Sequence, residues 1–284
     1  MTRVQQLAGQ FPVRALCRAL GVSRAGYYAA AKRGERPRAR EDARLSARIV
    51  DCFEASRGTY GSPRVTVALR RAGERCGRRR VARLMRGRGL RARARPRWRP
   101  QTTDSHHLCP IAPNRLAGRA APARANEVWA ADITYLATGE GWLYLAGVLD
   151  LCTRQLVGWA AEDTMSTTLV ASAFERAVAR QRPGPGLLHH SDRGSQYASE
   201  AYRVLLRQNE TTPSMSRRAN RYDNATMESF WATLKAELIG PRVFDSRAQA
   251  RAALFDYIEC FYNRRRLHGA LGYTSPVEYE NNLG

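Results

Sequence analysis

Residues 127–151 read EVWAADITYLATGEGWLYLAGVLDL. Two apolar runs of strand length flank Thr138–Gly141, where two glycines around an acid signal a tight turn, so the stretch predicts a β-hairpin. Asp132 stands inside the first run, where a carboxylate is costly unless it binds something. RQLVGWAAE (154–162) predicts a third strand.

Further along, STTLVASAFERAVARQ (166–181) reads as a helix stopped by Arg182-Pro183-Gly184. GLLHHSD (186–192) is a short buried strand, SEAYRVLLRQ (199–208) a helix and TTPSMS (211–216) a short strand. Helices are expected over 224–239 and 246–263. Three strands in succession, then helix–strand–helix–strand, predict a mixed sheet flanked by helices.

Before residue 126 the texture is different. Residues 1–125 hold 30 Arg/Lys against 7 Asp/Glu, whereas 126–284 hold 17 against 18, so the whole net charge of +22 comes from the first part. A GC-rich genome explains arginine over lysine but not that segregation. The excess points to a polyanionic partner and marks a domain boundary. FPVRALCRALGVSRAGYYAAAKR (11–33) reads as helix, turn, helix: Gly21 breaks the first and Ser23 caps the second. This spacing suits a helix-turn-helix DNA reader. A helix over 42–56 follows, then two short ones on either side of Gly73–Gly77. Arg78, Arg79, Arg80 and Arg83 crowd the last of these, as along a phosphate backbone. Residues 91–125, rich in Arg, Pro and Ala, read as a linker lying on DNA. The expected organisation is a basic helical region 1–90, a linker 91–125 and a second domain 126–284.

No stretch has the length and apolarity of a membrane span or signal sequence, so a cytoplasmic protein is expected. The six cysteines are scattered without a CxxC pair and read as reduced core thiols. His106, His107 and Cys109 resemble half a zinc site, but no second half follows at suitable spacing.

Three acids of the second domain hold unusual positions: Asp132 within a strand, Asp192 at the end of one, Glu228 at the start of a helix. Strand ends and helix starts are where α/β folds gather site residues. Three carboxylates from three elements suit hard metal ions that orient a phosphoryl group. Asp150, at the end of the second strand, is a rival. Lys235, one of two lysines in the chain, follows Glu228 by seven residues, close to two helical turns. It has no helical acid partner. The expectation is that its ammonium reaches outward to a DNA phosphate beside the reacting one.

WAADITYL, GWLYLAGVLDLCTRQLVGW, HHSDRGSQY, SMSRRANRYDNATMESFWATLKAEL and YNRRRLHGALGYTSPVEYE together closely resemble the second-open-reading-frame (OrfB) transposases of the IS-three insertion-sequence family. The resemblance runs from about Val13 to Tyr279. It implies an α/β RNase H-like, integrase-like catalytic core behind a basic, all-α helix-turn-helix-type N-terminal region. It also implies a DDE triad at Asp132, Asp192 and Glu228, the last two separated by 35 residues as in that family. The implied cofactor is two Mg²⁺ ions, with Mn²⁺ as a substitute. The implied chemistry is cleavage of element ends and joining of the freed 3′-OH to another phosphodiester. Implied partners are double-stranded DNA, further copies of the chain on that DNA, and an upstream-frame partner or fusion; the implied location is the bacterial nucleoid. Lys235, Arg78, Arg79, Arg80, Arg83, Arg193 and Arg217 are the expected DNA contacts. Relatives carry Gly and Cys where this chain has Ala219 and Arg221. A structure-selective nuclease or site-specific invertase of the same fold, and a non-catalytic DNA-binding regulator, are the competing readings.

Overall fold

The computed structural model describes residues 2–32, 37–93, 109–217, 224–240 and 243–283. His106 and His107 of the half zinc site, and Ala219 and Arg221, lie outside them. The chain divides into two compact units, 1–55 with 60–91, and 56–59 with 92–284.

The first unit is all helical: α1 (Thr2–Leu7), α2 (Val13–Ala19), α3 (Arg24–Lys32), α4 (Pro37–Ala55), α5 (Ser62–Arg71) and α6 (Arg78–Gly87). Gly21 takes φ +63° between α2 and α3. Ser23 Oγ accepts from the Gly26 amide at 3.0 Å, as its capping role requires. Val4, Leu16, Cys17 and Tyr27 form a small core among α1–α3. Leu45, Ile49, Val65, Leu69, Val81 and Met85 are the buried apolar residues of α4–α6.

The second unit is built on a five-stranded sheet of order β3-β2-β1-β4-β5. Strands β1 (Val128–Thr138) and β2 (Gly141–Asp150) form the expected hairpin, and β3 (Leu156–Glu162) pairs antiparallel with β2. After α7 (Thr167–Gln181), β4 (Leu188–Ser191) runs parallel to β1. The short α8 (Ser195–Ala198) and α9 (Glu200–Gln208) lead to β5 (Thr212–Met215), parallel to β4. Pro213 is tolerated in β5 because this strand is an edge. The helix α7 seats directly on β3: a Cβ on Gly158 would collide with the Ala173 carbonyl oxygen.

The helix expected over 224–239 is α10 (Ala225–Leu234) followed by a wider π-helical turn, Lys235–Ile239, stopped at Gly240. Likewise α11 (Arg247–Phe255) passes into a π-helical segment, Asp256–Tyr262. Such widened turns often mark functional sites. A short helix α12 (Pro276–Asn281) closes the chain behind a capping box of Ser275 and Glu278.

The linker differs from expectation over its described second half. Cys109 and Ala112 pack against the sheet core, and the Arg115 amide donates to Ser214 Oγ at 2.9 Å. Apolar side chains at these two positions anchor this segment to the unit that follows it.

Candidate active site

Register brings the first two acids together. Along β1 and β4, Ala130 is paired with His190, so Asp132 and Asp192 each lie two residues beyond the same rung. Both therefore lie just past the point where the β1–β4 pairing stops, Asp132 inside β1 and Asp192 just after β4. Glu228 comes from the first turn of α10, a helix that packs on β1. All three carboxylates are half-buried.

Asp132 is held from behind. Its β2 partner is Gly147, and a Cβ there would come within 2.9 Å of the Trp231 ring. The missing side chain leaves room for Trp231, whose Nε1 donates to Asp132 Oδ2 at 3.0 Å. Asp192 Oδ1 accepts from the Gly194 amide at 2.9 Å, which fixes that carboxylate at the strand end.

Electrostatics report how near the three acids are. The Asp132 carboxyl is pushed up to about 8, first by burial, then by the negative charge of Asp192, with Glu228 adding in the same sense. Lys235 answers part of that charge: burial lowers its pKa while Asp132 raises it. Its ammonium does not reach freely outward, as the sequence suggested. Nζ sits over the Tyr135 ring, 5.2 Å from the centroid, in a cation–π contact.

The donor set suits Mg²⁺, since it consists of hard carboxylate oxygens. Among the described residues, no three acids, histidines or cysteines close into a ready cage for an ion. Mg²⁺ does not demand one, because it keeps waters and substrate phosphate oxygens among its ligands.

Asp150 is otherwise engaged. Its Oδ1 accepts from the Cys152 and Thr153 amides at 2.9 and 2.7 Å and from Thr153 Oγ1, and its Oδ2 accepts from the Asn126 amide at 2.7 Å. It organises the β2–β3 turn. The neighbouring histidines are also structural: His190 bonds Ser214 and Ser216, and His189 bonds the Tyr202 hydroxyl. Burial drops His189 to about 3, so it stays neutral.

The expected DNA-contacting arginines divide into groups. Arg78 and Arg79 are exposed at the start of α6. Arg80 and Arg83 instead converge on Asp42, each at 2.6 Å, and their hydrogen bonds pull its pKa down. Arg193 donates Nε to the Ser216 carbonyl at 2.7 Å, joining the ends of β4 and β5. Arg217 is exposed just beyond β5. The acid that claims Arg80 and Arg83 lies about forty positions earlier, outside any local spacing.

Sequence reasoning missed Gly147, Trp231, Tyr135 and a buried pair, Glu237 with Arg266. A glycine inside an apolar strand, opposite the strand that carries Asp132, was the signal available for the first.

Models of the integrase core domain match residues 122–221 and 228–283, and a model of an HTH-like domain matches 39–98. The chain is 44% identical over 264 residues to the uncharacterized 31 kDa protein of insertion element IS600 from Shigella sonnei, covering 93% of this chain and 97% of that one. It is 38% identical over 280 residues to transposase InsF for insertion sequence IS3A from Escherichia coli, covering 98% and 97%. Among solved structures, the HTLV-2 integrase catalytic core in complex with magnesium matches with TM-score 0.43 and 13% identity, over 55% of this chain and 97% of that one. Full-length identity at this level, an integrase core and an HTH-like region place the chain in the IS3 insertion-sequence family of DDE transposases.

Proposed function

We propose that Asp132, Asp192 and Glu228 are the catalytic triad of this transposase and hold two Mg²⁺ ions, with Mn²⁺ as a substitute. The observation that carries this reading is the placement of the acids: Asp132 and Asp192 lie two residues beyond one rung of the β1–β4 pairing, and Glu228 sits in the first turn of the helix that packs on β1. Three like charges gathered from inside one strand, the end of another and a helix start are costly without a cation between them. When bound, the metal supplies Lewis acidity at the phosphoryl oxygens and lowers the pKa of the attacking hydroxyl.

The protein's own part is positional. Trp231 and the Gly194 amide orient two of the carboxylates, and α10 presents Glu228 with its helix N-terminus toward negative charge. Lys235 supports the phosphate next to the reacting one from its place over Tyr135. The basic region 1–90 supplies most of the grip on double-stranded DNA, with exposed Arg78 and Arg79 among its contacts. Working assemblies contain several copies on paired element ends, with an upstream-frame partner or fusion for recognition of those ends.

The test is to incubate the chain with Mg²⁺ and labelled element-end DNA. Joined products support a transposase using these acids if Asp192→Asn abolishes them. Cleaved products alone would indicate a nuclease, and bound but unchanged DNA a regulator.

A further inference from the structure

Strand β4 pairs with β1 only along Val128–Ala130, so among the described residues no strand lies beside the edge of β1 beyond Ala130 up to the isolated bridge of Thr138 with Phe244. Lys235 stands over Tyr135 at this stretch. Tyr135 in turn meets Trp142 of β2 edge-to-face, with centroids 4.8 Å apart. The register places Tyr135 opposite Tyr144, so Trp142 lies two residues away on the same face.

Trp142 is unlike the other described tryptophans. Trp129 and Trp231 are buried, and Trp159 donates its Nε1 to Glu259 at 3.0 Å. Trp142 leaves 51% of its surface in solvent. A second cation sits at the hairpin tip, where Arg247 donates Nε to the Trp142 carbonyl at 3.2 Å. The acid there, Glu140, accepts from the Arg247 backbone amide.

We propose that Trp142, braced edge-to-face by Tyr135, is a stacking platform for unpaired nucleobases of the DNA strand whose phosphate lies at the three acids. The proposal rests on the reading of those acids as the reaction centre. The acids are half-buried, and a phosphodiester inside intact duplex reaches them poorly. Opening the neighbouring pairs exposes bases that have lost their stacking partners. An exposed indole beside a tyrosine offers new ones, with cations at both ends for the flanking phosphates. Every base has a π-face, so the platform is tolerant of sequence. An interface with a second copy of the chain would also cover an indole, but it would not call for Lys235 and Arg247 on either side of it.

The test uses the full-length chain and element-end duplexes carrying 5-iodouracil at one position at a time, irradiated and mapped by peptide analysis. The expected result is a crosslink to Trp142 or Tyr135 from bases adjoining the reacting phosphate. Trp142→Ala should join paired ends about tenfold more slowly, the size of one lost base stack. It should be nearly normal on ends whose terminal bases are already mismatched, and Trp142→Phe should keep most activity. Joining by the wild-type chain with crosslinks only elsewhere, and an undiminished rate in Trp142→Ala, would overturn the platform while leaving the triad standing. A change of oligomeric state in Trp142→Ala with no crosslink at 142 would reassign the face to a protein contact. Absence of any cleavage or joining by the wild-type chain would remove the triad reading and the platform with it.

Discussion

Arg266 donates Nε and Nη2 to the two carboxylate oxygens of Glu237, at 2.8 and 2.6 Å, with both side chains buried. The Tyr257 hydroxyl donates to the same carboxylate at 2.8 Å. The π-helical turn that begins at Lys235 is thereby tied to the π-helical segment 256–262 and the chain after it. Removing one partner leaves the other charge buried without compensation. Glu237→Leu should therefore cost about 3–5 kcal/mol of stability in urea titrations, and a double replacement by apolar residues much less. A loss under about 1 kcal/mol in the single variant would show that the ion pair does not hold this region.

Asn at 132 or 192, or Gln at 228, should abolish both cleavage and joining while leaving duplex affinity within about twofold. Lys235→Glu should impair both reactions more than it weakens binding to random duplex, and Lys235→Arg should retain part of the activity because the charge remains. Normal joining by Asp192→Asn would end the triad assignment.

The Asp132 carboxyl holds its proton to about pH 8 in the folded chain, against a reference of 3.8 when unfolded. Over that window the folded state binds more protons at this site, so the contribution of Asp132 to stability is fully present below about pH 4 and is lost as pH rises from there through 8. Melting temperature measured without divalent cations should fall from pH 5 to pH 8.5. Asp132→Asn should flatten the fall. Mg²⁺ should stabilise the wild-type chain more at pH 8.5 than at pH 5, because only the ionised carboxylate binds it. A melting temperature independent of pH in the metal-free chain would contradict the clustering of charge at this site.

Gly147→Ala puts a methyl group into the space occupied by Trp231. The ring must shift, and its hydrogen bond to Asp132 lengthens or breaks. Stability should drop by roughly 1–3 kcal/mol, as for other overpacked positions. Activity should fall further than stability alone explains, measured at a temperature where the variant is fully folded. Full activity in a stably folded Gly147→Ala chain would show that Trp231 does not orient the carboxylate.

Residues 1–125 carry the whole net positive charge, so duplex binding by the full chain should weaken steeply with salt, each neutralised phosphate adding roughly 0.9 to the log–log slope. The 126–284 fragment should bind weakly with a shallow slope in the same fluorescence titration. Equal affinity and slope for the two would relocate the DNA grip to the catalytic unit. Replacing Arg78 and Arg79 together should lower the slope by about 2.

The sequence by itself determined the elements of the sheet, the helix-turn-helix spacing and the division of charge, because alternation, helical period and turn residues act over a few positions. Motifs in a fixed order also singled out the three acids as candidates, with Asp150 as a rival to Asp132. The tertiary structure adds the surroundings that separate two similar aspartates. Asp132 and Asp150 both belong to apolar strands; they differ because Asp150 meets three backbone amides of its own surroundings, while Asp132 lies beside Asp192 across a parallel register. The cation–π seat of Lys235, the claim of Asp42 on Arg80 and Arg83, and the Glu237–Arg266 pair were hidden for the same reason. Each joins residues 29 to 100 positions apart, and local spacing holds no record of a contact that exists only once the chain has closed on itself.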